Sequence, residues 1–249
     1  MDIKLDKLLP VFILVRPQLI ENVGAVARSM LNFGFSNLRI VNPREEFPNE
    51  KAVALASGAG RVLDQAQIFN SVVDACKDLN QVWATSARTR YKFNEVVSPE
   101  TGAKIIFDAC QKGQRIGILF GGERAGLSNE ELFISKKIIK VGTNPEFSSL
   151  NLAQSVLLLA YQLSLSELKP TNFLSENKEN KLNKANYDEL SSFVSRIETE
   201  LDNTGFFYPE GKKKRMKTRL RKLVYGLDFS KEDIKILHGV VKSLVKKDK

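Results

Sequence analysis

The stretch VFILVRPQLIENVGAVARSMLNFGFSNLRIV, residues 11–41, reads as a strand, a helix and a second strand. Val11 to Val15 is a short run of large apolar residues, the pattern of a parallel strand buried on both faces. Asn22 is placed to cap a helix, and Val23, Val26, Ala27, Met30 and Leu31 recur at helical spacing along one stripe. Gly34 closes that helix at a position suited to left-handed geometry. Leu38 to Val41 forms the second strand, stopped by Asn42-Pro43.

The same alternation runs outward from this unit. A short helix around Ala52 to Ala56 ends at Gly58, and strands are expected at Val82 to Thr85, Ile116 to Phe120 and Ile138 to Val141. Helices around Pro99 to Cys110 and Asn151 to Leu165 lie between or after them. This order predicts the α/β class, with a mostly parallel sheet covered on both faces. The 249 residues suffice for one such domain and a small appendage.

After Leu168 the composition changes. KPTNFLSENKENKLNKAN is polar and nearly devoid of large apolar residues, so the chain divides into an α/β domain over 1–168, a linker over 169–185 and a helical extension over 186–249. Tyr187, Leu190, Val194, Ile197 and Leu201 keep helical period. Ser230 with Asp233 resembles a capping box and opens a last helix with Ile234, Leu237, Val241 and Leu244 on one face. Between them KKKRMKTRLRK, Lys212 to Lys222, holds eight basic residues and no acidic one. Met216 and Leu220 in that run, with Leu223 directly after it, have helical spacing, which predicts one packed face and one charged face.

Composition narrows the chemistry. A formal net charge of +9 suits a polyanionic partner, although solvated lysines alone produce such a balance. The single histidine, His238, lies near the C-terminus, which argues against a zinc site and against imidazole acid–base chemistry and leaves His238 as a surface or packing residue. Cys76 and Cys110 sit apart in helix-like apolar patterns and read as buried free thiols. No apolar run approaches the ~20 residues that span a bilayer. Pro10 leads into a strand and not into a cleavage site, so a cytosolic location is the default expectation.

Ligands of open parallel sheets bind at the carboxyl ends of the strands. Neither G-x-G-x-x-G after the first strand nor a P-loop occurs; the glycine-rich turn comes late, in FGGERAGLSNEEL from Phe120 to Leu132. Ser128 with Glu131 caps the helix after that turn. By spacing alone a ligand loop and a simple tight turn are equally good readings. ATSARTR (Ala84 to Arg90) and NPEFSSLNLAQS (Asn144 to Ser155) also come directly after strands, and Arg28 lies off the apolar stripe of the first helix.

Taken together, ENVGAVARSMLNFG with LRIVNP, then TSARTR, FGGERAGLSNEEL and NPEFSSLNLAQS, resemble the SPOUT methyltransferases, and within them the TrmJ-type tRNA 2′-O-methyltransferases. The resemblance covers nearly all of residues 11–168 in order, spacing and wording; the tail resembles that branch's helical extension more loosely. It implies a trefoil knot in the C-terminal part of the α/β domain and a homodimer built on it. It also implies S-adenosyl-L-methionine in the knot, held by Thr85, Ser86, Ala87, Gly121, Val141, Ser148, Ser149 and Leu150. Arg28, within the N-x-G-x-x-x-R pattern that begins at Asn22, is the residue the resemblance puts at the reacting hydroxyl. An arginine almost never gives up its proton, so its expected role is to bind a phosphate and the developing alkoxide. Asn22 is counted with Arg28 among the catalytic residues, and Ser149 and Asn151 would orient the ribose or the methionine end. Arg88, Arg90, Lys213, Lys214, Arg215, Arg219 and Arg221 would grip tRNA. The rival expectations are an rRNA methyltransferase, another tRNA site, or a noncatalytic RNA-binding assembly factor.

Overall fold

The computed structural model describes residues 9–87, 95–167 and 184–246. Seven strands form one sheet: β1 Val11–Val15, β2 Leu38–Val41, β3 Gln67–Phe69, β4 Gln81–Thr85, β5 Glu95–Val97, β6 Ile116–Gly121 and β7 Lys137–Ile139. Their order is β3-β2-β1-β6-β4-β7-β5, and every pairing is parallel. The expected class is therefore found. The strands β3 and β5 escape the sequence reading because they are the two edges of the sheet, largely exposed, and carry no buried apolar run. Strand β7 ends at Ile139, so Val141 lies in the loop beyond it.

The helices are α1 Ile20–Asn32, α2 Glu50–Ala56, α3 Gly60–Asp64, α4 Val72–Cys76, α5 Pro99–Gln111, α6 Asn129–Phe133 and α7 Leu152–Glu167. The extension adds α8 Tyr187–Asn203, α9 Glu210–Gly226 and α10 Lys231–Lys246. Alternation along the central strands sorts the core into two layers. Phe12, Leu14, Trp83, Ile118 and Phe120 face α1, α5 and α7, whereas Ile13, Val15, Ala84 and Leu119 face α4 and α6. Cys76 and Cys110 are buried free thiols, as expected, and burial pushes both up to about 12.

A buried arginine stands in this frame. Arg39 on β2, 5% exposed, donates to the Ala75 carbonyl at 2.6 Å and grips Asp78 through both nitrogens at 2.6 and 2.8 Å. Burial acts to raise the Asp78 carboxyl, but Arg39 and Arg115 together hold it below the usual range. Removing one partner of a buried pair strands the other. Asp78→Ala is expected to destabilise the fold by about 3 kcal/mol, read as a lower urea midpoint; a change below ~0.5 kcal/mol would show that Arg39 finds solvent instead.

The extension packs onto the second face of the sheet domain. Tyr187 is buried in the same cluster as Val82 and Leu132, donates its N–H to the Leu79 carbonyl at 2.8 Å, and stacks on Tyr225. Lys136 pairs with Asp228 at 2.7 Å. The expected Ser230–Asp233 box is formed, with Ser230 N–H donating to Asp233 at 2.8 Å. His238 is a packing residue, edge-on to Phe193. Two expected packing residues are not buried: Leu223 and Leu244 are exposed. The reason for Leu223 is the phase of α9, which turns Lys213, Lys217, Arg221 and Val224 toward α8. Lys213 and Lys217 pair with Asp202, and Arg221 grips buried Glu198 at 2.6 and 2.9 Å.

Candidate active site

The carboxyl ends of β4, β6 and β7 open onto a cavity of about 340 Å³. Three segments line it: 85–87 from the last residue of β4 onward, 121–127 from the last residue of β6 onward, and Val141 with 148–150 ahead of α7. Phe120, Ile139, Leu152 and Leu159 add apolar wall. All eight residues expected around a cofactor, namely Thr85, Ser86, Ala87, Gly121, Val141, Ser148, Ser149 and Leu150, lie on this lining. The loops are tied back to the frame: Thr85 Oγ1 donates to the Leu119 carbonyl at 3.1 Å, Ser86 N–H to the Ile139 carbonyl at 3.1 Å, and Thr143 Oγ1 to the Ser148 carbonyl at 3.2 Å.

Asn22 is not the expected N-cap. Helix α1 starts at Ile20 behind Leu19, which provides no side-chain cap, while Glu45 accepts the Ile20 N–H at 3.3 Å. Freed from capping, the Asn22 amide donates to Glu123 and accepts from Asn151 Nδ2 at 3.1 Å. Glu123 also accepts the Gln18 N–H at 2.8 Å. Asn151 caps α7, its Oδ1 accepting the Ala153 N–H at 2.8 Å. The chain Glu123–Asn22–Asn151 thus joins the glycine turn, α1 and α7 beside the cavity. The sequence reading above gives Glu123 no role in this site. The available signal was that it is the only carboxylate between Phe120 and Leu127, on the ligand edge of the sheet.

The remaining expected residues are scattered. Ser149 lines the cavity and is exposed. Arg28 is exposed on α1, six residues past Asn22 or about 9 Å along the axis, and it does not line the cavity. Arg88 and Arg90 lie outside the described residues. Lys214, Arg215 and Arg219 are exposed on α9, whereas Lys213 and Arg221 are engaged by carboxylates of α8.

A second support sits behind the glycine turn. Arg16, at φ 52° just after β1, grips Glu131 with both guanidinium nitrogens, Nη2 to Oε2 at 2.8 Å. Glu131 is the third helical residue of α6 and completes the expected capping box with Ser128. Burial would raise the Glu131 carboxyl, but the hydrogen bonds from Arg16 and Ser128 hold it below the usual range. A folded-state value below the unfolded one means stability that is present above 4.5 and lost as pH falls through the folded value. Glu131→Gln is therefore expected to flatten the acid limb of stability against pH below 4.5, measured by denaturant unfolding across that window. An unchanged acid slope would sink the assignment.

Comparison with known proteins fits this geometry. The model of the SpoU rRNA Methylase family matches residues 10–161. A tRNA (cytidine/uridine/adenosine-2′-O-)-methyltransferase, TrmJ of Pseudomonas aeruginosa (strain UCBPP-PA14), is 35% identical over 226 residues, 88% of this chain and 87% of its own length. The tRNA (cytidine/uridine-2′-O-)-methyltransferase TrmJ of Citrobacter koseri is 34% identical over 95% of this chain and 96% of its own. The crystal structure of TrmJ from Z. mobilis ZM4 aligns with a TM-score of 0.82 at 41% identity, covering 95% of this chain and 99% of that one. With a family model over most of the α/β domain and TrmJ relatives of nearly equal length, this chain belongs to the SpoU methylase family, on its TrmJ-type branch, and is a methyltransferase.

Proposed function

We propose that the chain transfers a methyl group from S-adenosylmethionine to a ribose 2′-hydroxyl of tRNA, at nucleotide 32 of the anticodon loop, where the base is cytidine or uridine. The observation that carries this reading is the convergence of three loops on one cavity in a chain whose TrmJ relatives, matched almost end to end, act on tRNA riboses. The cofactor fits the residues present. The cavity's ~340 Å³ lies within the range of ligand pockets. Its walls combine apolar side chains with the backbone-rich glycine turn, an arrangement suited to an adenosine ring and a polar tail.

S-adenosylmethionine supplies an electrophilic methyl carbon when bound, and the rest is alignment of an oxygen with it. The lining residues Thr85 to Ala87 and Ser148 to Leu150 hold it. Asn151 and Asn22, locked to each other and to Glu123, orient the ribose. Arg28, exposed on α1, meets the adjacent phosphate and stabilises the alkoxide that forms as water or phosphate takes the proton. The exposed Lys214, Arg215 and Arg219 of α9, with Arg88 and Arg90, grip the RNA backbone.

The same reading includes a trefoil knot over the C-terminal part of the α/β domain and a homodimer in the cytoplasm. The insertion of β6 and β7 on either side of the earlier β4 supports the knot. Helix α7 supports the dimer: it is apolar nearly all round, and Leu157, Leu158 and Tyr161 remain exposed. The reading also divides the chain into 1–168, 169–185 and 186–249, with the extension as the tRNA-binding part. No described helix is long and apolar enough to cross a membrane.

The test is tritium transfer from labelled S-adenosylmethionine to total tRNA, then mapping of the labelled nucleotide. Label at a 2′-O-methylated nucleotide 32 is the expected result. Label at another tRNA position or in rRNA would move the substrate, and cofactor binding without transfer to any RNA would overturn the enzymatic reading.

A further inference from the structure

The tip between α8 and α9 carries a feature that methyl transfer does not require. Helix α8 ends in a tight reversal: Gly205, at φ 73°, donates its N–H to the Asp202 carbonyl at 3.1 Å, and Phe206 donates to the Leu201 carbonyl at 3.0 Å. Those paired bonds are a Schellman closure, which holds the next residues in a defined direction. Phe207 is then driven inward. It is 4% exposed, with Lys217 over its ring at 5.2 Å. Its neighbours consequently point out: Phe206 is 56% exposed and Tyr208 84%.

Two aromatic rings are thus exposed on this tip, Phe206 with its ring edge-on to that of Phe207. The chain just beyond them is basic: Lys212, Lys214 and Arg215 are exposed in the first turns of α9, beside Glu210, while Asp202 is taken up by Lys213 and Lys217. Lys214 also lines a wide groove between the extension and the sheet domain, whose far wall includes Arg16, Ser128 and Glu131. These residues stand directly behind the glycine turn of the cavity. Exposed aromatic faces beside free-standing cations match one partner chemistry: splayed, unpaired bases joined by phosphates. A paired duplex hides its base faces and would meet only the cations.

We propose that Phe206 and Tyr208 form a stacking platform for unpaired nucleotides of the RNA substrate, with Lys212, Lys214 and Arg215 holding the flanking phosphates. This inference rests on RNA being the substrate and adds to it a preference for a single-stranded loop, made far from the reacting ribose. It assigns the tip a role in choosing which RNA is bound, where the basic residues alone would take any backbone.

The experiment compares the full-length protein with the double variant Phe206→Ala/Tyr208→Ala for binding to a short RNA hairpin with an unpaired loop and to a fully paired duplex of equal length. The expected result is a hairpin affinity lowered by roughly tenfold or more and a duplex affinity unchanged. In a second variant, Tyr208→Trp, hairpin affinity is retained and the new indole emission is quenched by hairpin and not by duplex. Trp83, the single native tryptophan, is fully buried and gives a constant background. Equal binding of both RNAs by wild type and double variant would overturn the platform. So would loss of self-association in the double variant, which would make the tip a contact between copies. Wild-type methyl transfer to tRNA, measured alongside, separates the two readings: transfer with no effect at the tip removes only this inference, whereas absent transfer removes the proposed function while hairpin binding is still read on its own.

Discussion

Gly122→Ala is expected to lower methyl transfer by ~100-fold or more. A Cβ at that position would stand 2.1 Å from the Arg16 carbonyl oxygen and 3.2 Å from that of Val15. Both obstacles are backbone, and Arg16 is pinned by its grip on Glu131, so neither can swing aside as a flexible side chain would. The turn itself must move. It carries Gly121 to Leu127, which wall the cavity, and Glu123, which holds Asn22 and through it Asn151. A displacement of about 1 Å in such positioning groups costs on the order of 100-fold in rate. The loss should appear in cofactor affinity as well as turnover, because the wall and the orienting amides shift together. Gly142→Ala is the control: it lies in another loop of the same edge, and a Cβ there meets nothing within 4 Å. Calorimetric titration with S-adenosylmethionine and single-turnover transfer would measure both variants. Gly122→Ala with wild-type affinity and rate would show that the turn is not the wall it is taken to be.

Arg28→Ala is expected to lower the transfer rate by ~100- to 1,000-fold while leaving cofactor affinity unchanged. The two halves of this expectation have separate origins. Stabilising charge that develops on a reacting oxygen contributes on that scale when its donor is removed. Cofactor affinity should hold because Arg28 lies outside the cavity lining, beyond Asn22 on the exposed side of α1. Arg28→Lys should recover only part of the rate, since an ammonium keeps the charge and loses the planar fork. A fall in cofactor affinity equal to the fall in rate would place Arg28 in binding and not in the transition state.

Local features were legible before any coordinates. The helical stripe from Val23 to Met30, the left-handed Gly34 and both predicted capping boxes involve residues within a few positions of each other, where backbone geometry alone sets the period. The cavity lining was legible for another reason. Its eight expected residues stand at or after the ends of strands, and a parallel sheet collects the ends of its strands at one edge. Asn22 was misread because an amide before an apolar stripe looks like a cap. Its true partners lie at positions 123 and 151. The pairings within the basic run were out of reach for the same reason. Composition records eight cations, but only the phase of α9 against α8 decides that Lys213, Lys217 and Arg221 meet carboxylates while Lys214 and Arg215 face solvent.

By itself, then, the sequence determined the α/β class, the sheet edge that holds the cavity and the kinds of group gathered there, since these arise from short-range periods and from chain order. The tertiary structure alone decided the Arg16–Glu131 clamp, the Arg39–Asp78 pair, the Glu123–Asn22–Asn151 chain and the outward rings of Phe206 and Tyr208. A polar side chain is as ready to bond water as any partner. Among partners distant in sequence the choice is made by burial, and burial exists only once the layers have packed.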